Sequence, residues 1–174
     1  TGGMAVDVDG NFLIVGYRGA NRAYIYEFTG SSWVQRASLS GTGSFGYDVG
    51  IVATGGAFRA VVGRPDDLSG QGQVSVYYST NSGTSWTSGG TFTSGDVGSY
   101  ATQLDFGHAV SIDGNSLVVG APGWGDYWTW TESCGFLGWE TCNRNANAQN
   151  VGHAFIYDWS SNGNINTGID HTLR

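Results

Sequence analysis

Lysine does not occur in this chain. All seven basic residues are arginine, and against fourteen carboxylates they leave a formal net charge of −7. A phosphate-binding surface needs a basic footprint, so this balance argues against nucleic acid as a partner. Apolar runs long enough to cross a bilayer as a helix are missing, and so is the pattern of a signal peptide. The chain starts at Thr1 with no initiator methionine, which is read here as a processed product or a fragment of something longer. Proline occurs only twice and charged residues make up 12%, too little of either for a disordered tail. No stretch combines helical periodicity with capping residues, so helices are not expected.

What the chain has instead is glycine, thirty of them, and 14% aromatic residues. That composition suits short strands joined by tight turns. The glycines are periodic. Residues 3–16 align with residues 107–120 without a gap, placing Gly3 on Gly107, Ala5-Val6 on Ala109-Val110, Asp9-Gly10-Asn11 on Asp113-Gly114-Asn115, and Gly16 on Gly120. A third copy runs from Gly46 to Gly63 with four extra residues around 54–59, where a turn between strands would tolerate them. Each copy then leads through a loop into an alternating aromatic segment, at 22–28, 73–78 and 153–159. Repeats of this kind predict the architecture before any single residue is interpreted.

Within a copy the period is two, the mark of strands buried on one or both faces. The first copy predicts strands over residues 5–8, 12–15, 23–28 and 33–39, an antiparallel meander whose first turn is Asp9-Gly10 in type I′ geometry. Four-stranded meanders repeated along a chain are the sequence form of a β-propeller, in which each small sheet buries its faces on its neighbours. The repeats start 43 and 61 residues apart, so loops must absorb the difference. The expected division is a first blade over 1–44, a second over 45–105 and a third over 106–174. Residues 165–173 are the last available for a fourth strand of the third unit.

Two landmarks carry a family resemblance. Phe45-Gly46 leads to Gly63-Arg64-Pro65, and Phe106-Gly107 leads to Gly120-Ala121-Pro122. These resemble FG-GAP repeats, the blade unit of the integrin α-subunit propeller and of many secreted repeat proteins. The third unit carries the name-giving tripeptide in full; the first departs from it, with Gly2 in place of Phe and Gly16-Tyr17-Arg18 at the second landmark. With a short Asp-Gly turn and a Ser-x-Trp or Ser-Trp strand, the units are more similar to tandem repeats of large microbial and algal surface proteins than to integrins. The resemblance implies an extracellular structural or adhesion role, and a calcium loop rich in aspartate between the first two strands of a blade. Here the corresponding segments offer two carboxylates (Asp7, Asp9), none, and one (Asp113), whereas calcium wants six or more oxygen ligands. They read as hairpin turns that have lost calcium, with Asp7 and Asp9 the weak alternative ligands and Asp66, Asp67 and Asp126 weaker surface sites.

The two cysteines, Cys134 and Cys142, are read as a disulfide, which would stabilise the loop it closes by roughly 2–3 kcal/mol in the chain-entropy model and implies an oxidising compartment. A zinc site would need further close ligands, and only His153 is near; as a strand-start residue it is better read as packed. Catalytic constellations do not assemble. His108, His153 and His171 lack a nucleophile-elbow serine, the glycine-rich stretches lack a phosphate-loop lysine, and Glu132 and Glu140 read as solvated rather than as a glycosidase pair.

Residues 123–150 exceed what a blade requires. Trp124, Tyr127, Trp128, Trp130, Phe136 and Trp139 precede a polar tract over 143–150, and the stretch is expected to be an irregular loop. It would serve as an interface, as a mini-core of its own, or as a lectin-like site presenting aromatic faces to sugars. The sequence as a whole reads as an all-β partial propeller of about three blades. It is expected to be non-enzymatic, extracellular and without cofactor, its partners being further blades, copies of itself, extracellular proteins or glycans. Carbohydrate binding through the tryptophan-rich insertion is the alternative. Gly46 and Gly107 are expected where strands crowd near the axis.

Overall fold

The computed structural model describes residues 3–53, 55–93, 104–123, 126–134, 140–148, 152–158 and 171–173, with the backbone alone described in 126–134, 140–148 and 171–173. Among these residues there is no α-helix, and two single turns of 3-10 helix, Arg18–Ala20 and Asp67–Gly70, join strands. Three antiparallel four-stranded sheets follow one another along the chain. The first contains β1 (Met4–Asp9), β2 (Phe12–Tyr17), β3 (Arg22–Phe28) and β4 (Trp33–Ser40). The second contains β5 (Val49–Val52), β6 (Arg59–Arg64), β7 (Gln73–Tyr78) and β8 (Thr87–Thr93). The third contains β9 (Ala109–Asp113), β10 (Ser116–Ala121), β13 (His153–Asp158) and β14 (His171–Leu173), and a separate two-stranded hairpin, β11 (Asp126–Cys134) and β12 (Glu140–Ala148), interrupts it between β10 and β13.

Every sheet is therefore a meander, with the strands of the first copy within one or two residues of their predicted ends. The repeat extends to its irregularities. A register shift falls between Ile25 and Tyr26 in the first sheet and between Val76 and Tyr77 in the second, at equivalent positions of the third strand. The extra residues of the second copy fall between β5 and β6, as the sequence alignment placed them. One detail differs from expectation. Asp9 pairs with Phe12 and Asp113 with Ser116, so the turn residues are Gly10-Asn11 and Gly114-Asn115, and in each only the glycine has positive φ, 56° and 54°. A glycine at the first central position is what a type II′ hairpin requires, not the type I′ turn predicted for Asp-Gly.

The second correction concerns residues 123–150. Rather than an irregular loop, most of the stretch forms two nine-residue strands paired from Asp126↔Ala148 to Cys134↔Glu140. Tyr-Trp-Thr-Trp-Thr at 127–131 is a run of aromatic and β-branched residues, the types that best fit a pleated surface, and the polar tract was the partner strand rather than a loop.

Two cores lie in the seams between consecutive sheets. One joins Phe12, Ile14, Ala23, Ile25 and Phe45 to Val49, Ile51, Ala60 and Val62; the other joins Val52, Val61, Val74, Val76 and Phe92 to Val110, Leu117, Val119, Phe155 and Tyr157. The second sheet thus contributes both its faces. That explains why Val49–Val52 is buried at every position, while β1 and β9 alternate: a strand covered on both sides is a continuous apolar run, and one covered on a single side keeps period two.

Candidate functional site: the seams between repeats

Strand β5 lies beside β1, and β9 lies beside β5. Each is the first strand of its sheet, paired on one side only, so half of its backbone N–H groups point away from its own sheet. Buried N–H groups must find acceptors, and the preceding repeat supplies them from carboxylates. The Ile51 N–H donates to Asp7 Oδ2 and the Ala53 N–H to Asp9 Oδ2, both at 2.8 Å. In the next seam the Val110 N–H donates to Asp48 Oδ2, again at 2.8 Å. One rule covers all three: the donor stands one repeat position beyond the place aligned with the acid. Asp7 aligns with Gly50, which precedes Ile51; Asp9 with Val52, which precedes Ala53; Asp48 with Ala109, which precedes Val110.

This arrangement inverts β1. Its acids lie on the half-buried side, while Met4, Val6 and Val8 are 71, 71 and 64% exposed. Asp7 and Asp9 do share a face, as alternation predicted, but they accept from the next sheet's backbone. The sequence signal for this was carboxylates at period two on an otherwise apolar strand. Among the described residues no group of three His, Cys, Asp or Glu side chains gathers as it would around a metal ion.

The landmark residues build the same seams. Phe45 and Phe106 are fully buried, Phe106 against the rings of Phe92, Phe155 and Tyr157. The glycine after each phenylalanine bonds to the second landmark glycine of its own repeat, Gly46 N–H to the Gly63 carbonyl at 3.2 Å and Gly107 N–H to the Gly120 carbonyl at 3.1 Å. Across the seam, a Cβ on Gly16 would strike the Gly46 carbonyl, and one on Gly63 would strike that of Gly107. Gly46 and Gly107 both have φ of +87° and are themselves crowded, by the Arg22 and Gln73 carbonyl oxygens respectively. Pro65 is buried and Pro122 is exposed.

Polar side chains lace the seam ends. Arg64 pairs with Asp67 at 2.9 Å and reaches Gln73, while Asp67 and Asp66 accept from Thr42 and Ser44 of the linker that enters the second repeat. At one end Arg18 lies 4.7 Å from the centroid of the Tyr47 ring, whose hydroxyl is 2.8 Å from His108 Nε2, so one residue from each repeat meets there. Arg59 donates to the Gly114 carbonyl at 2.7 Å and to Asn115 Oδ1, and its partial burial lowers its pKa from the usual arginine value. Burial raises the Tyr77 pKa, opposed by the Ser75 side chain and the Arg64 charge.

The remaining candidates are dispersed. His153 is buried at the start of β13 beside the Phe155 ring, far in sequence from Tyr47-paired His108, and His171 lies in β14. The hairpin register sets Glu132 opposite Cys142 and Cys134 opposite Glu140; Tyr127, Trp128 and Trp130 lie in β11. The side chains of these hairpin residues, and Trp124 and Trp139 entirely, fall outside the described residues, and so does the proposed disulfide. No protein-family model matches the chain, and no curated protein matches it in sequence.

Proposed function

We propose that this chain is a three-blade segment of an FG-GAP-like β-propeller, working outside the cell as a non-enzymatic structural or adhesion module that joins further blades. The observation that carries the reading is the pair of seams built to one rule, with a sheet face of the same kind left over at each end. Before β1 stand Met4, Val6 and Val8; beyond β9 and β10 stand Ala109, Ser111, Asp113 and Val118, all exposed. Exposed contiguous apolar surface on a soluble protein tends to be covered, which favours a partner covering the Met4, Val6 and Val8 face; the β9 face is mixed, with Ser111 and Asp113 offering acceptors. The reading includes no cofactor. Calcium is disfavoured because Asp7 and Asp9 already accept from backbone N–H groups. Sedimentation of the purified chain tests the module: association is expected, and a well-folded 18.3 kDa species with no tendency to associate would overturn it.

Two arms test the extracellular assignment and the insertion. Mass spectrometry of the unreduced protein is expected to show Cys134 bonded to Cys142, and two free thiols would remove the case for an oxidising compartment. The separate hairpin, set apart from the three larger sheets and carrying Tyr127, Trp128 and Trp130 on one strand, favours a second reading, glycan binding. A glycan array decides it: binding lost in Trp128→Ala or Trp130→Ala with the fold intact supports a lectin-like site, and no binding by the wild type ends it.

A further inference from the structure

We infer that the outward side of β9 is a docking surface for the β1 edge of a second copy of this chain, in the same register as the two internal seams. The inference rests on the module reading above and gives that module a partner and a set of contacts. Its first support is the seam rule itself. Ser111 and Asp113 occupy the repeat positions of Asp7 and Asp9, both are exposed, and both side chains carry acceptor oxygens. Applied to an incoming β1, the rule assigns the Gly10 N–H to an Asp113 carboxylate oxygen, and to Ser111 Oγ the Val8 N–H, which within one chain donates to Asp7 Oδ1 at 2.9 Å. Strand β1 is the first strand of its sheet, as β5 and β9 are of theirs, and so presents the kind of edge that the internal seams cover.

A second, independent support comes from Gly120. Its equivalents Gly16 and Gly63 have no room for a Cβ because the carbonyl of the following repeat's landmark glycine lies there. Around Gly120 the three nearest atoms to a Cβ belong to Ala109 of its own sheet, the nearest at 3.3 Å. The glycine is present, but among the described residues no carbonyl of a following repeat stands beside it. Gly3, which aligns with Gly46 and Gly107, is exposed, and in a second copy it takes that place. The third support is apolar: Met4, Val6 and Val8 of β1 align with Tyr47, Val49 and Ile51 of β5, and the last two are buried by the preceding sheet. The described residues of one copy form three four-stranded sheets, so two copies joined at both ends supply six, within the four to eight of closed propellers.

The interface is heterologous, with different surfaces on its two sides, and this makes it separable by mutation. Val6→Arg with Val8→Arg blocks one surface, and Ser111→Arg with Asp113→Arg blocks the other; all four positions are exposed, so folding is retained, as circular dichroism and thermal melts will check. In sedimentation the wild type is expected at twice 18.3 kDa and each variant at the single mass. An equimolar mixture of the two variants is expected to recover a two-chain species, because each keeps the surface that the other lacks. Asp113→Asn retains an acceptor oxygen and should weaken association less than Asp113→Ala, for which about tenfold is expected. If the wild type assembles and both variants assemble equally well, the docking surface is wrong and the module reading survives. If the variants are single and their mixture stays single, the head-to-tail geometry is wrong. A wild type that never associates overturns both.

Discussion

Asp7 is a charged residue doing the work of a strand. By accepting from Ile51 N–H it fills the place that a neighbouring backbone carbonyl would take in a continuous sheet. Its replacement by alanine leaves a buried donor without an acceptor, and unfolding by denaturant should show a loss of about 1–3 kcal/mol. Gly107→Val tests the other half of the seam. The φ of +87° and the Gln73 carbonyl oppose any side chain there, and a cost of about 3 kcal/mol is expected in the same assay; an unchanged Tm would contradict the crowding. Tyr77 gives a pH dependence with a definite sign. Burial raises its pKa above the ordinary value of 10.0, so the folded state holds the proton more tightly than the unfolded chain. The stabilisation is complete below that ordinary value and is lost as pH rises through the folded one. Tm should therefore fall less between about pH 9 and pH 11 in Tyr77→Phe than in the wild type.

At the scale of elements, the hairpin of β11 and β12 is an addition to a complete sheet. Ala121 already pairs with His153 across the strands that flank it, so a short turn could join them directly. Replacing residues 123–151 with such a turn should leave the far-ultraviolet circular dichroism of a β-protein and a cooperative melt; a molten product would show that the hairpin supports the third sheet. Strand positions were the most legible part of the sequence, because the repeats checked one another: the same Ala-Val pair and the same glycines had to do the same thing twice. The hairpin was less legible for the opposite reason. It occurs once, and a tract such as Asn143-Arg144-Asn145 has low strand propensity until an aromatic partner strand lies beside it. The role of Asp7 and Asp9 was hidden for a third reason. A strand-to-strand seam pairs residues 44 positions apart in the first seam and 62 in the second, and periodicity shows which face a residue occupies but not what stands opposite.

At the scale of the whole molecule, the three sheets formed by the described residues are not independent, since the middle one belongs to both cores. Near- and far-ultraviolet signals should then report one coincident unfolding transition, and a core truncation such as Val61→Ala should move the entire transition to lower temperature rather than split it. Separate transitions for the two ends would show that the seams couple weakly. The seam also bears on how such a chain could have lengthened. The second repeat holds donors on one side and acceptors on the other, and its landmark glycines fit both the unit before and the unit after. A duplicated stretch of gene that ran from one Phe-Gly to the next would arrive carrying both halves of its own contact, with no compensating change needed elsewhere. Insertions within a strand would shift acids away from donors and glycines away from carbonyls. Evolution of the chain is thereby confined to whole-unit steps along its length and to free variation in the turns, which is the pattern left by the four added residues after β5 and the long hairpin after β10.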